Sequence, residues 1–141
     1  MIKQQTATFS AGLDGLGAIR DFVRGFFESL EVERDVIDDL IFAANELATN
    51  VIKYGYSGGV GRIEIRVACD SEFASLRIRD EAPLFDPTQA SSPDLTLPLE
   101  IRPLGKMGIY LTMDYMDDVQ YHPLGQTGNE ITLKKKLRKE T

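Results

Sequence analysis

The spacing of the apolar residues changes once along this chain, near residue 60, and that change restricts the fold more than any other feature. Before it, apolar residues recur every three or four positions, as on the buried face of an amphipathic helix. This spacing predicts one helix over about 13–30 and a stronger one from about Glu33 to Tyr54, ended by Gly55 and the glycines after it. A short edge strand is predicted before them, at Thr6–Ser10.

After residue 60, apolar and polar residues alternate, which is the pattern of a strand with one buried face. Two such runs, around 62–69 and 73–80, flank a turn-like segment and predict a strand hairpin. A third helix is predicted over about Gly108–Met116, followed by a strand at Val119–His122, a turn, and a final strand that contains Ile131, Leu133 and Leu137. Helices first, then mostly antiparallel strands with a late helix, predict an α+β two-layer sandwich, with the helices on one face of a mixed, mostly antiparallel sheet.

Length and composition limit the class of protein. With 141 residues, 43% of them hydrophobic and 27% charged, the chain is expected to form a single globular domain over residues 1–141. It has no apolar run of about 18 residues and a polar start, so we expect neither a membrane span nor a secretory signal, and a cytoplasmic location. One cysteine and one histidine exclude an internal disulfide and a zinc cluster. A net charge of −6 argues against direct nucleic-acid binding.

Three groups of polar or small residues indicate a ligand. The first lies on the second helix, where Glu46, Asn50 and Lys53 fall within about 60° of one another, opposite the apolar stripe. A carboxylate, a carboxamide and an ammonium in this arrangement are suited to a general base, a magnesium ligand and a phosphate contact. Spacing alone favours the simpler alternative, a solvated helix face.

The second is Asp80, which is in register with the buried positions of the second hairpin strand. A buried carboxylate requires hydrogen-bond donors. The sequence leaves two sources open, a backbone N–H of a neighbouring turn and an amino group of a ligand at the end of the sheet.

The third is Gly105-Lys106-Met107-Gly108, which ends a proline-rich stretch and begins the third helix. A helix N-terminus presents free N–H groups to phosphate, although the pattern alone favours the simpler alternative, a helix start with glycines for flexibility. The stretch before it, Glu81–Gly105, holds five of the six prolines and neither periodicity. We expect its central part, Asp86–Pro103, to form a lid that closes over a ligand.

Taken in order, these segments resemble the four sequence boxes of the GHKL ATP-binding domain, the Bergerat fold of gyrase-type topoisomerases, histidine kinases and anti-sigma factor kinases. Glu46–Asn50 resembles the asparagine box, Asp80–Pro87 the first glycine box, Gly105–Gly108 the second, and Gly128–Ile131 the last. The pattern Glu-Leu-x-Thr-Asn-x-x-x-x-Gly-Tyr is most similar to that of the anti-sigma factor serine/threonine kinases.

The resemblance implies roles for these residues. Glu46 would be the catalytic residue that positions or deprotonates the attacking hydroxyl, Asn50 would coordinate Mg²⁺, and Asp80 would accept from the adenine amino group. The implied ATP-binding positions are Asn50, Lys53, Asp80, Ala82, Phe85, Gly105, Lys106, Met107, Gly108 and Asn129. Ala82 stands where the first glycine box has glycine, so we expect strain of about 1 kcal/mol or more if that position requires a positive φ. Asn129 stands where the larger members often have threonine.

The resemblance therefore implies a serine/threonine protein kinase that uses ATP and Mg²⁺ and also binds ADP. Its substrate would be an anti-sigma factor antagonist of the STAS type, and it would also sequester a sigma factor. The resemblance implies no nucleic-acid or membrane contact and leaves a homodimer open. The alternative is a nucleotide-binding regulatory module that signals by protein contact without catalysis.

Overall fold

The computed structural model describes residues 2–89 and 106–138. Its elements, in chain order, are β1 (Lys3–Ser10), a 3-10 turn (Leu13–Gly15), α1 (Leu16–Ser29), α2 (Arg34–Asn50), a π-helical turn (Val51–Gly55), β2 (Arg62–Cys69), β3 (Phe73–Pro83), a 3-10 turn (Pro87–Gln89), α3 (Lys106–Tyr115), β4 (Asp118–Pro123) and β5 (Thr127–Lys136). The predicted α+β class is confirmed. None of the described helices is long and apolar enough to cross a membrane.

The five strands form one sheet in the order β1-β2-β3-β5-β4, and every pairing between them is antiparallel. Strand β3 lies at the centre of the sheet because it pairs with both β2 and β5. The register places Asp80 of β3 opposite Ile63 on one side and Asn129 of β5 on the other. Two polar side chains that are distant in sequence therefore become neighbours.

One hydrophobic core joins the helices to the sheet. Helix α1 buries residues four apart, and α2 buries a stripe at the spacing expected from the sequence. Strands β2 and β3 bury every second residue. The main buried side chains are Ile19, Val23, Phe27, Leu40, Ala44, Leu47, Ile63, Ile65, Val67, Leu76, Ile78 and Leu133.

The second predicted helix does not continue to Tyr54 as a uniform α-helix. It is α-helical to Asn50 and then widens into the π-helical turn Val51–Gly55, which is closed by a bond from the Tyr56 N–H to the Val51 carbonyl at 2.8 Å. A π turn holds an additional residue, and such turns are frequent at functional sites. The side chains after Asn50 are therefore rotated relative to the expected row.

Strand β3 is also longer than predicted. The sequence indicated a loop from Glu81, but β3 runs to Pro83 across an irregularity in its pairing with β5 between Asp80 and Pro83. A side chain replaces part of the strand pairing here. The Asn129 side-chain amide donates to the Pro83 carbonyl at 3.1 Å. Most of the predicted lid, Asp86–Pro103, lies outside the described residues.

Candidate functional site

A cavity of about 300 Å³ opens between α2, α3 and the ends of the central strands. Its walls are mainly apolar, with Leu47, Ile78, Ile109 and Ile131 among the lining residues. Five side chains with polar atoms also line the walls, and they are Asn50, Tyr54, Asp80, Tyr121 and Asn129. An apolar pocket with a few converging polar groups is the usual form of a small-molecule site.

Asp80 provides the carboxylate of this cavity and is only 5% exposed. Its Oδ1 accepts two hydrogen bonds, from the Asn129 Nδ2 at 2.9 Å and from the Ala82 N–H at 2.9 Å. Within residues 2–89 and 108–138, no group donates to its Oδ2. A nearby backbone N–H, one of the two donors left open by the sequence, is therefore present, and the second oxygen can accept from a ligand.

The environment of Asp80 changes its acidity. Burial raises the pKa of the carboxyl above its ordinary value, because the charged form is poorly solvated in the cavity. The hydrogen bonds from Asn129 and Ala82 act in the opposite direction by stabilising the anion. A further donor from a ligand would also stabilise the anion.

Asn129 connects the Asp80 carboxylate to the chain that follows β3. Besides Asp80, its Nδ2 has the Pro83 carbonyl as an acceptor. Its Oδ1 accepts from the Phe85 N–H at 2.9 Å and from the Tyr121 hydroxyl at 2.5 Å. The amide group of Asn129 is thus fully occupied by protein partners. Tyr121 lies on β4 and was not singled out in the sequence, since only the β4–β5 pairing brings it here.

Asn50 is buried at the end of α2, where its side chain is hydrogen-bonded to the helix backbone. Its Nδ2 donates to the Glu46 carbonyl at 2.7 Å, so its Oδ1 carries the free acceptor capacity of the side chain. Magnesium takes oxygen ligands and is commonly held by one or two protein groups together with phosphates and water. The Asn50 carboxamide oxygen fits a magnesium ion bound in this way.

Glu46 lies one turn before Asn50 and is half-buried rather than on a solvated face. Its carboxylate lies directly against Gly108, and a Cβ at that position would overlap the Oε2 and Cδ atoms of Glu46. Gly108 therefore provides the space in which this carboxylate lies beside the first turn of α3. A negative charge beside the first turn of a helix is favoured by the helix dipole.

The remaining predicted site residues are placed as follows. Lys53 is exposed on the π-helical turn and does not line the cavity, whereas Phe85 lies at the cavity wall and is 53% exposed. Lys106 and Met107 are the first two residues of α3. Gly105 lies outside the described residues.

Ala82 lines the cavity without backbone strain. Among the described residues, only Glu31 and Ser57 combine a side chain with a positive φ, so the strain considered for Ala82 is absent. Its methyl group instead faces Gly55 of the π-helical turn, where an added Cβ would lie 2.8 Å from the Ala82 Cβ. The glycine at position 55 leaves the space that the Ala82 methyl occupies.

Tyr56, the tyrosine that ends the pattern Glu-Leu-x-Thr-Asn-x-x-x-x-Gly-Tyr, holds the other side of the β3 end, a role that the sequence did not predict. Its hydroxyl donates to the Arg62 carbonyl at 2.7 Å and accepts from the Glu81 N–H at 2.8 Å. The phenol therefore bridges β2 and β3 where their own pairing ends. The ring packs so closely on Gly61 that a Cβ there would overlap it.

Comparison with known proteins identifies the family of this chain. Similar proteins include the anti-sigma F factors of Bacillus licheniformis (28% identical over 141 residues, 99% of this chain and 96% of that protein) and of Halalkalibacterium halodurans (29% over 141 residues, 99% and 96%). The serine-protein kinase RsbW of Bacillus cereus (strain Q1) is 29% identical over 114 residues, which cover 77% of this chain and 71% of that kinase. Residues 9–135 match the histidine kinase-like ATPase domain, and the chain belongs to that family.

Proposed function

We propose that this chain is an ATP-dependent serine/threonine protein kinase of the anti-sigma factor type. The observation that carries the proposal is the Asp80 carboxylate at the wall of an apolar cavity. Among the described residues, one of its two oxygens has no hydrogen-bond partner. The names of the relatives, anti-sigma F factor and serine-protein kinase, support the choice of this activity within the family.

Asp80 binds the base in this proposal. Its Oδ2 accepts a hydrogen bond from the exocyclic amine of adenine, while Ile78 and Ile131 contact the flat faces of the ring. Hydrogen bonds that involve a charged group are stronger than neutral ones, and a dry cavity strengthens them further. The partly desolvated carboxylate gains a donor when the nucleotide binds.

Asn50 and the start of α3 would hold the phosphates, Asn50 through the metal. The Asn50 Oδ1 would supply one ligand to Mg²⁺, and the first N–H groups of α3 would donate to phosphate oxygens. Lys53, which is exposed, adds positive charge at the outer side of this region. When bound, ATP supplies the transferred phosphoryl group and Mg²⁺ neutralises its charge.

Glu46 is the proposed catalytic base. Its carboxylate lies beside Gly108, at the helix start where the phosphates would bind, and it is half-exposed to an approaching protein substrate. It orients the serine or threonine hydroxyl of that substrate and accepts its proton.

The proposed substrate is an anti-sigma factor antagonist of the STAS type, and the proposed second partner is a sigma factor. Purified chain, ATP with Mg²⁺ and a candidate antagonist should yield a phosphoserine or phosphothreonine on the antagonist, detected by mass spectrometry. ATP binding with no transfer to any candidate would contradict the kinase assignment and favour a nucleotide-binding regulatory module.

The magnesium assignment is tested with Asn50→Ala. Titration with ADP should show that Mg²⁺ strengthens binding to the parent chain and no longer does so in this variant. Asn45→Ala is the matched control, since Asn45 lies on the same helix but accepts from Arg20 of α1 at 2.7 Å. A Mg²⁺ effect that persists in Asn50→Ala would exclude Asn50 as the ligand.

A further inference from the structure

The cavity has a second polar group beside Asp80 that the family resemblance does not assign. Tyr121 lies on β4 opposite Ile131 of β5 and forms part of the cavity wall. Its hydroxyl contacts the Asn129 Oδ1, and the Nδ2 of the same amide contacts Asp80. A single carboxamide therefore separates the phenol oxygen from the carboxylate.

The direction of the Tyr121 hydrogen bond is fixed by the other partners of Asn129. Asp80 Oδ1 and the Pro83 carbonyl can only accept, so the Asn129 nitrogen must face them. The Phe85 N–H can only donate, so the Asn129 oxygen must face Phe85. Tyr121 contacts that oxygen and must donate to it.

A phenol whose proton is engaged in this way acts toward other groups as an acceptor, through its remaining lone pairs. Burial and the nearby charges of Asp86 and Asp80 raise the pKa of Tyr121, and the Phe85 N–H acts in the opposite direction without reversing the shift. The hydroxyl therefore keeps its proton at neutral pH and continues to donate to Asn129. We call the end of the cavity at Asp80 and Tyr121, where the base is proposed to bind, the base end. It presents two acceptors, the charged Asp80 carboxylate and the neutral Tyr121 hydroxyl.

We propose that Tyr121 is a second specificity-determining residue, whose hydroxyl oxygen accepts a hydrogen bond from the exocyclic amine of the bound base. This inference rests on the proposed nucleotide binding. An amine carries two hydrogens, and two acceptors at one end of the cavity satisfy both. A base with a carbonyl oxygen at that position would place a third acceptor against them and leave all of them unpaired.

The test compares ADP with purine riboside diphosphate, which has the same ring and phosphates but no exocyclic amine. Isothermal titration of the parent chain and of Tyr121→Phe gives four affinities. We expect Tyr121→Phe to weaken ADP binding by about threefold to tenfold, the range of one neutral hydrogen bond, and purine riboside diphosphate binding by less than about twofold. A loss confined to the base that carries the amine assigns the interaction to that amine.

Tyr54→Phe is the matched control, because Tyr54 is another tyrosine on the cavity wall. We expect it to change the two affinities by a common factor. Thermal unfolding without nucleotide checks that Tyr121→Phe remains folded, which is expected since Asn129 Oδ1 keeps the Phe85 N–H.

Two outcomes would overturn the inference. If Tyr121→Phe weakens the binding of both nucleotides equally, Tyr121 affects only the shape of the cavity. The proposed kinase function would then still stand. If the parent chain binds neither nucleotide, the proposed function fails and the inference fails with it.

Discussion

The two ends of the cavity are built in different ways. At the base end, strands β3, β4 and β5 supply Asp80, Tyr121 and Asn129, which are bonded to one another or to the backbone. We call the other end, where the phosphates are proposed to bind, the phosphate end; beside it, α2 supplies Glu46, whose carboxylate is placed against Gly108, and the π-helical turn supplies the exposed Lys53, and neither side chain lines the cavity itself.

This difference indicates which part of the proposed function each end would serve. The base end is organised by the protein before any ligand arrives, so it is suited to selective recognition. The phosphate end carries fewer hydrogen bonds among the described residues and is suited to completion by the nucleotide, the metal and the protein substrate. Substitutions at the two ends should therefore affect different measurements.

The largest expected effect is at the phosphate end. Glu46→Gln keeps the size of the side chain beside Gly108 but removes the base, so phosphate transfer should fall by about 10²–10⁴-fold. ADP affinity should stay within a few-fold of the parent value. Glu72→Gln, at an exposed turn position, is the control and should transfer at the parent rate. If Glu46→Gln transfers phosphate at the parent rate, Glu46 is not the catalytic base.

The next largest effect is at the base end. Asp80→Asn keeps an oxygen for the Asn129 and Ala82 donors but replaces the free acceptor with a donor, so ADP affinity measured by titration should fall about tenfold to a hundredfold. Asp118→Asn, an exposed change on β4, should leave the affinity unchanged. An unaltered ADP affinity in Asp80→Asn would show that the base is bound elsewhere.

A smaller effect, on the stability of the fold, is expected where the π-helical turn contacts β3. Gly55→Ala brings a methyl group to 2.8 Å from that of Ala82 and should lower the free energy of unfolding by about 1–3 kcal/mol. Adding Ala82→Gly should restore most of this loss, a coupling that denaturant titration of the single and double variants measures.

Gly25→Ala is the matched control for the glycine change. An added Cβ at Gly25, on the exposed side of α1, meets nothing within 4 Å. It should raise the free energy of unfolding by about 0.5–1 kcal/mol, since alanine favours a helix over glycine. No rescue by Ala82→Gly would mean that the two segments do not press on each other.

The smallest expected effect is on pH dependence. Because burial raises the pKa of Asp80, the carboxyl gains its proton at a higher pH than an ordinary aspartate does, and a protonated Oδ2 no longer accepts equally well. ADP affinity should therefore fall a few-fold as pH drops through that pKa, whereas Asp80→Asn should lack this component.

Stability without nucleotide should change in the opposite sense. The folded chain holds the Asp80 proton more tightly than the unfolded chain, so this group's stabilising contribution is fully present below its unfolded pKa, about 3.9. It is lost as pH rises through the folded pKa. The stability of Asp80→Asn relative to the parent, measured by denaturant titration, should therefore increase from acidic to neutral pH. A constant difference would contradict a raised pKa.

The sequence predicted well what depends on local spacing. Alternation of Ile63, Ile65 and Val67 identifies a strand without any knowledge of its neighbours, and the apolar stripe of α2 is equally local. The same alternation predicted that Asp80 is buried, which the structure confirms at 5% exposure.

What the sequence missed depends on pairing between distant segments. Tyr121 acquires its partner only through the β4–β5 register, and Tyr56 only because it fills a gap between β2 and β3. The π-helical turn after Asn50 was also missed, since helical spacing assumes a constant rise and rotation per residue. The roles of Glu46, Asn50 and Asp80 stay predictions until the variants are measured.

The pairing of β3 with β5 has a consequence for how the chain folds. Asp80 and Asn129 are 49 residues apart, and closing a flexible loop of that length costs roughly 3 kcal/mol of chain entropy. Contacts of such long range form slowly, so the hairpin of β2 and β3 can exist before the base end does. A nucleotide that requires both side chains then binds only chains whose sheet has closed, and by mass action it draws the folding equilibrium toward them.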